Sequence, residues 1–185
     1  MQDNRAYIYA FLSMMFTEHL SKRAINDLKQ NEDLLSLIGE NAKEYILNTD
    51  TDKLEEELNI DYTSSFMVNS HPLESAVTDA KVQISSGMEN PVVHFYTKFG
   101  YEINLNNTPI TSPDHISIEL GFMQALILQK ELTAQKEYME KHIITWMPIY
   151  LIGVKKIVET PFYKDFVDFS IEFLLSDYEY LRDAS

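Results

Sequence analysis

The chain has 185 residues, of which 45% are hydrophobic and 12% aromatic, and this is enough to bury one sizeable core. Its 29 Asp and Glu residues outnumber 15 Lys and Arg, and the formal charge of -14 repels nucleic-acid phosphates and favours a basic partner. With no cysteine for disulfides or thiolate metal sites, and no stretch near the roughly 20 apolar residues of a membrane span, the sequence predicts a soluble cytoplasmic protein.

The first third of the chain has helical periodicity. Tyr7, Phe11, Met14 and Met15 fall at the spacing of one buried helix face. Ser21 is a suitable N-cap for a second helix. The apolar side of that helical segment is expected to consist of Ile25, Leu28, Leu34, Leu35 and Ile38.

The middle of the chain alternates helices with breaks. An acidic first turn after Asp50 predicts a helix start. Residues 68–75 predict a loop, because a residue that precedes proline is biased away from helical geometry. A break at residues 85–91 precedes a short helix that closes near Gly100, and the Asn- and Pro-rich residues 104–115 form a connector.

Strong helix signals resume after this connector. Ser112 is expected to cap a long apolar helix, with Pro113 as its first residue and Asp114 beside the positive end of its dipole. Pro148 is expected to separate two further helices. The last helix begins at Pro161, and we interpret its aromatic stripe as core: Phe162, Phe166, Phe169 and Phe173. The sequence predicts a single-domain all-α bundle over residues 1–185.

Asp114 and His115 are the first candidates for chemistry. Glu119 lies one turn beyond His115 on the same predicted helix face, so the two side chains could both reach one metal ion. A helix cap and a partner-recognition site are the other interpretations of the Asp-His pair. His142 and Trp146 are likewise packing partners or part of a site. The chain has no HExxH, no GxSxG elbow and no phosphate-binding glycine motif, so these residues alone do not favour an enzyme.

Several sequence blocks occur in the order seen in one family. Residues 112–126, SPDHISIELGFMQAL, contain Asp-His followed by Glu-Leu-x-Phe-Met. Residues 61–77, DYTSSFMVNSHPLESAV, contain an aromatic-x-x-x-Phe segment and a Pro-x-Glu-Ser turn. Residues 92–103 and 140–148 are similar to the helix before the connector and to a closing block. Over about residues 62–175 the chain resembles the TorD/DmsD/NarJ family of molybdoenzyme maturation chaperones.

The resemblance implies an all-helical, TorD-like cytoplasmic chaperone with no catalytic activity, cofactor or metal of its own. Such a protein binds the N-terminal, often twin-arginine, signal peptide of a molybdoenzyme catalytic subunit and delays export until the cofactor is loaded. An acidic chain suits a peptide in which arginines precede an apolar segment. The resemblance allows a monomer or a domain-exchanged dimer.

The signal-peptide site implied by the resemblance comprises Tyr62, Phe66, Pro72, Leu73, Glu74, Ser75, Asp114, His115, Glu119, Phe122, His142 and Trp146. Two other functions remain open at this point. One is a metal- or nucleotide-dependent enzyme that uses His115 and Glu119. The other is a purely structural helical interaction subunit.

Overall fold

The computed structural model describes residues 2–79, 90–105 and 110–184. In these ranges the regular structure is helical apart from one isolated β-bridge, which confirms the predicted all-α class. The helices are α1 (Gln2–Met15), α2 (Lys22–Lys29), α3 (Glu32–Ile38), α4 (Glu40–Asn48), α5 (Thr51–Tyr62), α6 (Glu74–Thr78), α7 (Pro91–Lys98), α8 (Ile116–Leu128), α9 (Leu132–Tyr138), α10 (Ile144–Val154) and α11 (Pro161–Asp183). π-Helical turns at Thr63–Val68 and Met139–Ile143 directly follow α5 and α9.

The described chain forms two compact units. The first comprises Met1–Glu18, Pro72–Tyr150 and Leu174–Ser185, and the second comprises His19–His71 and Leu151–Phe173. The expectation of one domain over residues 1–185 stays a prediction. The predicted break at residues 85–91 and the predicted connector lie partly outside the described residues. Among the helices that the structure describes, none is both long and apolar enough to cross a membrane.

In the first unit, α8 packs along α1. Gly121 permits this close approach, since a Cβ there would lie 2.9 Å from the Tyr101 hydroxyl and 3.3 Å from Ser13 Oγ. Ser13 Oγ also donates to the Ser117 carbonyl at 2.7 Å. The buried residues of α8 are Ile116, Ser117, Ile118, Glu119, Leu120, Phe122, Met123, Leu126 and Ile127. An apolar helix buried on so many sides is central to its unit.

The buried face of α1 differs from the predicted one. Tyr7 and Met14 expose 74% and 51% of their surface, so placing them in the core was wrong. The buried residues of this helix are Arg5, Ala6, Tyr9, Phe11, Leu12 and Met15. Arg5 Nη2 donates to Asp177 Oδ2 at 2.9 Å, and Tyr9 donates to the same oxygen at 2.7 Å. This buried polar cluster determines which of several apolar stripes faces inward.

The second unit begins with the capped helix that the sequence predicts. Ser21 accepts a hydrogen bond from the Ala24 N–H at 3.3 Å and caps α2. At the other end of the unit, Asp61 accepts from the backbone N–H of Thr160 at 2.7 Å, immediately before α11 begins at Pro161. A buried carboxylate therefore connects the last turn of α5 to the first turn of α11, where the helix dipole favours a negative charge.

Two predicted helix boundaries are wrong. α8 begins at Ile116 with His115 as its N-cap, whereas Ser112 is engaged in the preceding loop. Pro148 lies inside α10 and does not interrupt it. The backbone N–H that proline lacks would lie about one turn after the π-helical turn at Met139–Ile143. The hydrogen-bond register changes in this region, and α10 continues through Pro148.

Candidate functional site

Two segments that are distant in sequence lie side by side in the first unit. Leu73 and His115 form the isolated antiparallel bridge. The Glu74 N–H donates to the Asp114 carbonyl at 3.0 Å, and the Ile116 N–H donates to the Pro72 carbonyl at 2.9 Å. We call this structure, formed by residues 72–75 and 114–116, the motif junction. It joins the Pro-x-Glu-Ser turn to the Asp-His pair.

Asp114 holds the motif junction together from inside. Its side chain is fully buried, Oδ2 accepts from the Ser75 N–H at 2.8 Å, and Oδ1 accepts from the Ser112 hydroxyl. The first-turn amides of α6 need an acceptor, and its N-cap residue, Leu73, supplies none from its side chain. Asp114 therefore caps α6 and not the helix that follows it in sequence. Both of its oxygens are shielded from solvent.

His115 caps α8. Its Nδ1 accepts from the Ser117 N–H at 3.2 Å and lies 2.8 Å from the Ser117 hydroxyl, so the ring proton belongs on Nε2. Burial lowers the pKa of His115 to about 4, although the Asp114 charge acts in the opposite direction. The imidazole is therefore neutral at pH 7, and the side chain keeps partial access to solvent.

Glu74 and His142 form a nearly buried pair beside the motif junction. His142 Nδ1 lies 2.9 Å from Glu74 Oε2, and the two side chains expose 8% and 14% of their surface. The His142 ring stacks on Tyr138 at 5.2 Å and meets the edge of Phe95 at the same separation. Tyr138 and Phe95 hold the imidazole in place, and the imidazole orients the Glu74 carboxylate.

Glu119 lies in the interior of the same unit. It is fully buried, and its Oε2 accepts from Trp146 Nε1 at 3.1 Å. Burial, and after it the charge of Glu74, raises the pKa of Glu119 well above its usual range, while the Trp146 N–H acts in the opposite direction. Burial beside Glu74 therefore favours the neutral, protonated form of Glu119.

Phe122 belongs to the core of the first unit. It is fully buried, and its ring lies 4.8 Å from both Tyr96 and Tyr138. The Tyr96 hydroxyl donates to the Pro113 carbonyl at 3.0 Å, which ties α7 to the loop before α8. Phe122 therefore packs against Tyr96, which holds the loop before α8, and its buried ring is not accessible to a ligand.

Tyr62 and Phe66 belong to the second unit. Both are buried, their rings lie 5.3 Å apart, and Tyr163 contacts Tyr62 at 6.3 Å and Phe66 at 5.5 Å. On its other side Tyr62 contacts the exposed His19 ring at 5.1 Å. These two sequence-predicted site residues therefore form an aromatic cluster of their own unit.

The structure does not pair the two residues that the sequence analysis considered as metal ligands. His115 and Glu119 face different partners, Ser117 and Trp146, so their helical spacing does not make them a ligand pair. Within the described ranges no group of three or more His, Asp or Glu side chains is arranged to hold a metal ion. The motif junction instead offers a fixed carboxylate, Glu74, and a neutral imidazole at a partly accessible surface.

Sequence reasoning missed three residues that support this site. Ser112 was assigned to a helix cap, but its hydroxyl fixes Asp114. Phe95 and Tyr138 enclose His142, and neither was a candidate. The position of Tyr138, four residues before His142, was a usable signal, because residues at that spacing contact each other on a helix.

The comparisons with known proteins agree with the order of the motifs. The family described as nitrate reductase delta subunit matches residues 28–150, a range that contains the whole motif junction. Chaperone protein TorD of Vibrio cholerae serotype O1 (strain ATCC 39315 / El Tor Inaba N16961) is 27% identical to the chain over 181 residues. That alignment covers 81% of this chain and 79% of the relative.

Proposed function

Because the chain belongs to the nitrate reductase delta subunit family, we propose that it binds the N-terminal signal peptide of a molybdoenzyme catalytic subunit in the cytoplasm. The family and the chaperone relative make the chain a molybdoenzyme maturation chaperone and not an enzyme. The proposal adds that the peptide is of the twin-arginine type. It further adds that binding holds the apo-subunit back from export until its cofactor is loaded.

The observation that carries the proposal is the motif junction. Two of the sequence blocks that resemble the family lie side by side, joined by a bridge and by the buried Asp114. Rigid, preorganised backbone lowers the ordering cost of binding a flexible peptide. Of the proposed peptide-binding residues in this unit, Glu74 and His115 keep partial solvent access, so we propose them as the peptide's contacts in the first unit.

The polar members of the proposed site in this unit that are buried act through these two. Asp114 fixes the backbone at Ser75, and His142 orients the Glu74 carboxylate. Glu119 and Trp146 are buried behind them. Their substitution is expected to change peptide affinity by moving Glu74 or His115.

The negative net charge of the chain supports the proposed peptide binding independently. A chain at -14 attracts a segment with consecutive arginines, and guanidinium groups pair well with carboxylates. Such attraction raises the association rate and weakens as salt is added. An apolar segment after the arginines adds a contribution that salt does not weaken.

The test begins with the client. Tagged chain is recovered from the source cells, the captured large subunit is identified by mass spectrometry, and its synthetic signal peptide is titrated against the purified chain. We expect saturable binding that weakens with added salt and with replacement of both arginines by Gln. If the apo-subunit binds equally well after removal of its signal peptide, and the isolated peptide does not bind, the proposal is wrong.

A further inference from the structure

An open groove of about 750 Å³ runs along α5 in the second unit. Its lining includes His19, Asp52, Glu55, Glu56, Ile60 and Val68. We call it the α5 groove. None of its lining residues belongs to the set that the sequence resemblance implies.

The α5 groove changes from acidic to apolar along its length. Asp52, Glu56 and Ile60 recur every four residues and Glu55 lies three residues after Asp52, so they share one face of α5. Val68, in the π-helical turn that follows α5, extends this face. At about 1.5 Å per helical residue, the acidic and apolar ends are separated by on the order of 10 to 20 Å.

At the acidic end, one of three carboxylates is unpaired within the described part of the chain and the other two share a single cation. Glu56 is exposed and makes no hydrogen bond or ion pair among the described residues. Asp52 and Glu55 share one cation, Lys22, at 2.7 and 3.9 Å, and Glu55 Oε1 also accepts from the Lys22 N–H at 3.2 Å. Three carboxylates against one ammonium leave this end negative. Stabilisation of the helix start accounts for Asp52, which lies in the first turn after the Asp50 cap, but not for Glu56, which lies beyond that turn.

The apolar end is exposed on a helix whose opposite face is core. Ile60 and Val68 expose 63% and 67% of their surface, whereas Leu54 and Leu58 are fully buried. Two large exposed apolar residues beside a negative patch form a surface for a partner that carries both characters.

We propose that the α5 groove binds the arginine-bearing part of the client's signal peptide, with the arginines at the acidic end around Glu56 and the following apolar residues on Ile60 and Val68. This inference rests on the proposed function and names the place where the arginines bind. Asp114 is a poor partner for them, since both of its oxygens are buried and already accept hydrogen bonds.

The dimensions of the groove specify the peptide further. An extended peptide advances about 3.3 Å per residue, so roughly three to six residues cover the distance from the acidic to the apolar end. The groove therefore fits a short basic segment followed directly by apolar residues. It fits less well a peptide in which a long polar spacer separates the two.

Matched charge reversals test the acidic end. Glu56→Lys changes the groove, and Glu44→Lys makes the same change of net charge at an exposed glutamate on α4, which also makes no hydrogen bond or ion pair among the described residues. Titration of the labelled signal peptide is expected to show about five- to tenfold weaker binding to Glu56→Lys and less than about twofold change for Glu44→Lys. Thermal melting checks that both variants are folded.

A second pair tests the apolar end. Ile60→Ser removes an exposed apolar side chain from the groove, and Leu37→Ser removes one that is 51% exposed on α3. Only Ile60→Ser is expected to weaken peptide binding, by about threefold or more, with an effect that persists at high salt.

The outcomes separate this inference from the proposed function. If wild-type chain binds the peptide and both members of each pair behave alike, the α5 groove is not the arginine site, although the proposed function stands. If wild-type chain does not bind the peptide at all, the proposed function fails and the inference fails with it. If Ile60→Ser changes the mass measured by light scattering and leaves peptide affinity intact, the groove is an interface between copies of the chain, and the inference is overturned.

Discussion

The Asp114 carboxylate accepts the Ser75 N–H at 2.8 Å, so the acid of one motif caps the short helix that begins in the other. From the sequence alone, Asp114→Asn is expected to cost little stability, since asparagine also caps helices. Full burial with two accepted hydrogen bonds changes that expectation.

We predict that Asp114→Asn lowers the free energy of unfolding by about 1–2 kcal/mol and Asp114→Ala by about 2–3 kcal/mol. Asparagine retains one acceptor, whereas alanine leaves both the Ser75 N–H and the Ser112 hydroxyl without this partner. Urea denaturation followed by circular dichroism measures both values. Wild-type stability in Asp114→Asn would show that the carboxylate does not hold the motif junction together.

Glu119 gives a prediction about pH. Its pKa in the folded protein lies well above the usual 4.5, so between these values the folded chain binds a proton that the unfolded chain has released. Stability is therefore expected to fall as pH rises above about 4.5. Glu119→Gln keeps the shape and the acceptor for Trp146 and removes the titration.

The measurement compares urea midpoints of wild type and Glu119→Gln from pH 5 to 8. We expect the variant to gain on wild type as pH rises, and to remain within about 1 kcal/mol of it at the acidic end of this range. Curves that run parallel over the whole range would mean that Glu119 does not carry the proton.

The pH dependence predicted for His115 has the opposite sign to that of Glu119. Burial lowers its pKa from 6.5 to about 4, so between these values the unfolded chain binds the additional proton. Its contribution is complete above about pH 6.5 and is lost as pH falls to about 4. His115→Asn retains a capping acceptor without this titration. The stability difference between wild type and His115→Asn should therefore move in favour of the variant as pH is lowered from 6.5 to 4, and a constant difference would contradict the buried neutral imidazole.

The buried pair of Arg5 and Asp177 gives a prediction for the first unit. Asp177→Ala leaves the guanidinium buried without its carboxylate, and we expect a loss of about 3–5 kcal/mol. The double variant Arg5→Met/Asp177→Leu removes both charges and should recover most of that loss. Thermal unfolding of wild type, Asp177→Ala and the double variant measures these differences in stability. A double variant as unstable as Asp177→Ala would show that packing, and not charge, dominates there.

Much of the fold was predictable because it depends on local patterns. Ser21 caps its helix as predicted, and the last helix starts at Pro161. Its aromatic stripe is core at Phe162 and Phe166, while Phe169 and Phe173 are only half-buried. Helical spacing identifies such a stripe, but the depth of each residue depends on the elements packed against it.

The motif junction was predictable only as a resemblance. Asp114 and Ser75 lie far apart in sequence, and no local pattern indicates that one caps the other's helix. The predicted start of α8 was wrong because the neighbouring loop engages Ser112, and the predicted face of α1 was wrong because a distant acceptor, Asp177, fixes this helix. The α5 groove was not predicted, because the acidic residues after Asp50 were interpreted only as the start of a helix.

The π-helical turn at Met139–Ile143 determines how the loss of a single residue affects this site. A π-helical turn accommodates one more residue than a regular α-helical turn, so a single residue deleted there leaves the helix after it in phase, whereas a single residue deleted from the regular turns on either side rotates everything beyond by about 100°. After a deletion of the second kind Trp146 points away from Glu119, although both side chains are still present in the sequence. Homologous chains that differ by one residue between Tyr138 and Trp146 should therefore be compared by helix phase before their residues are matched one to one.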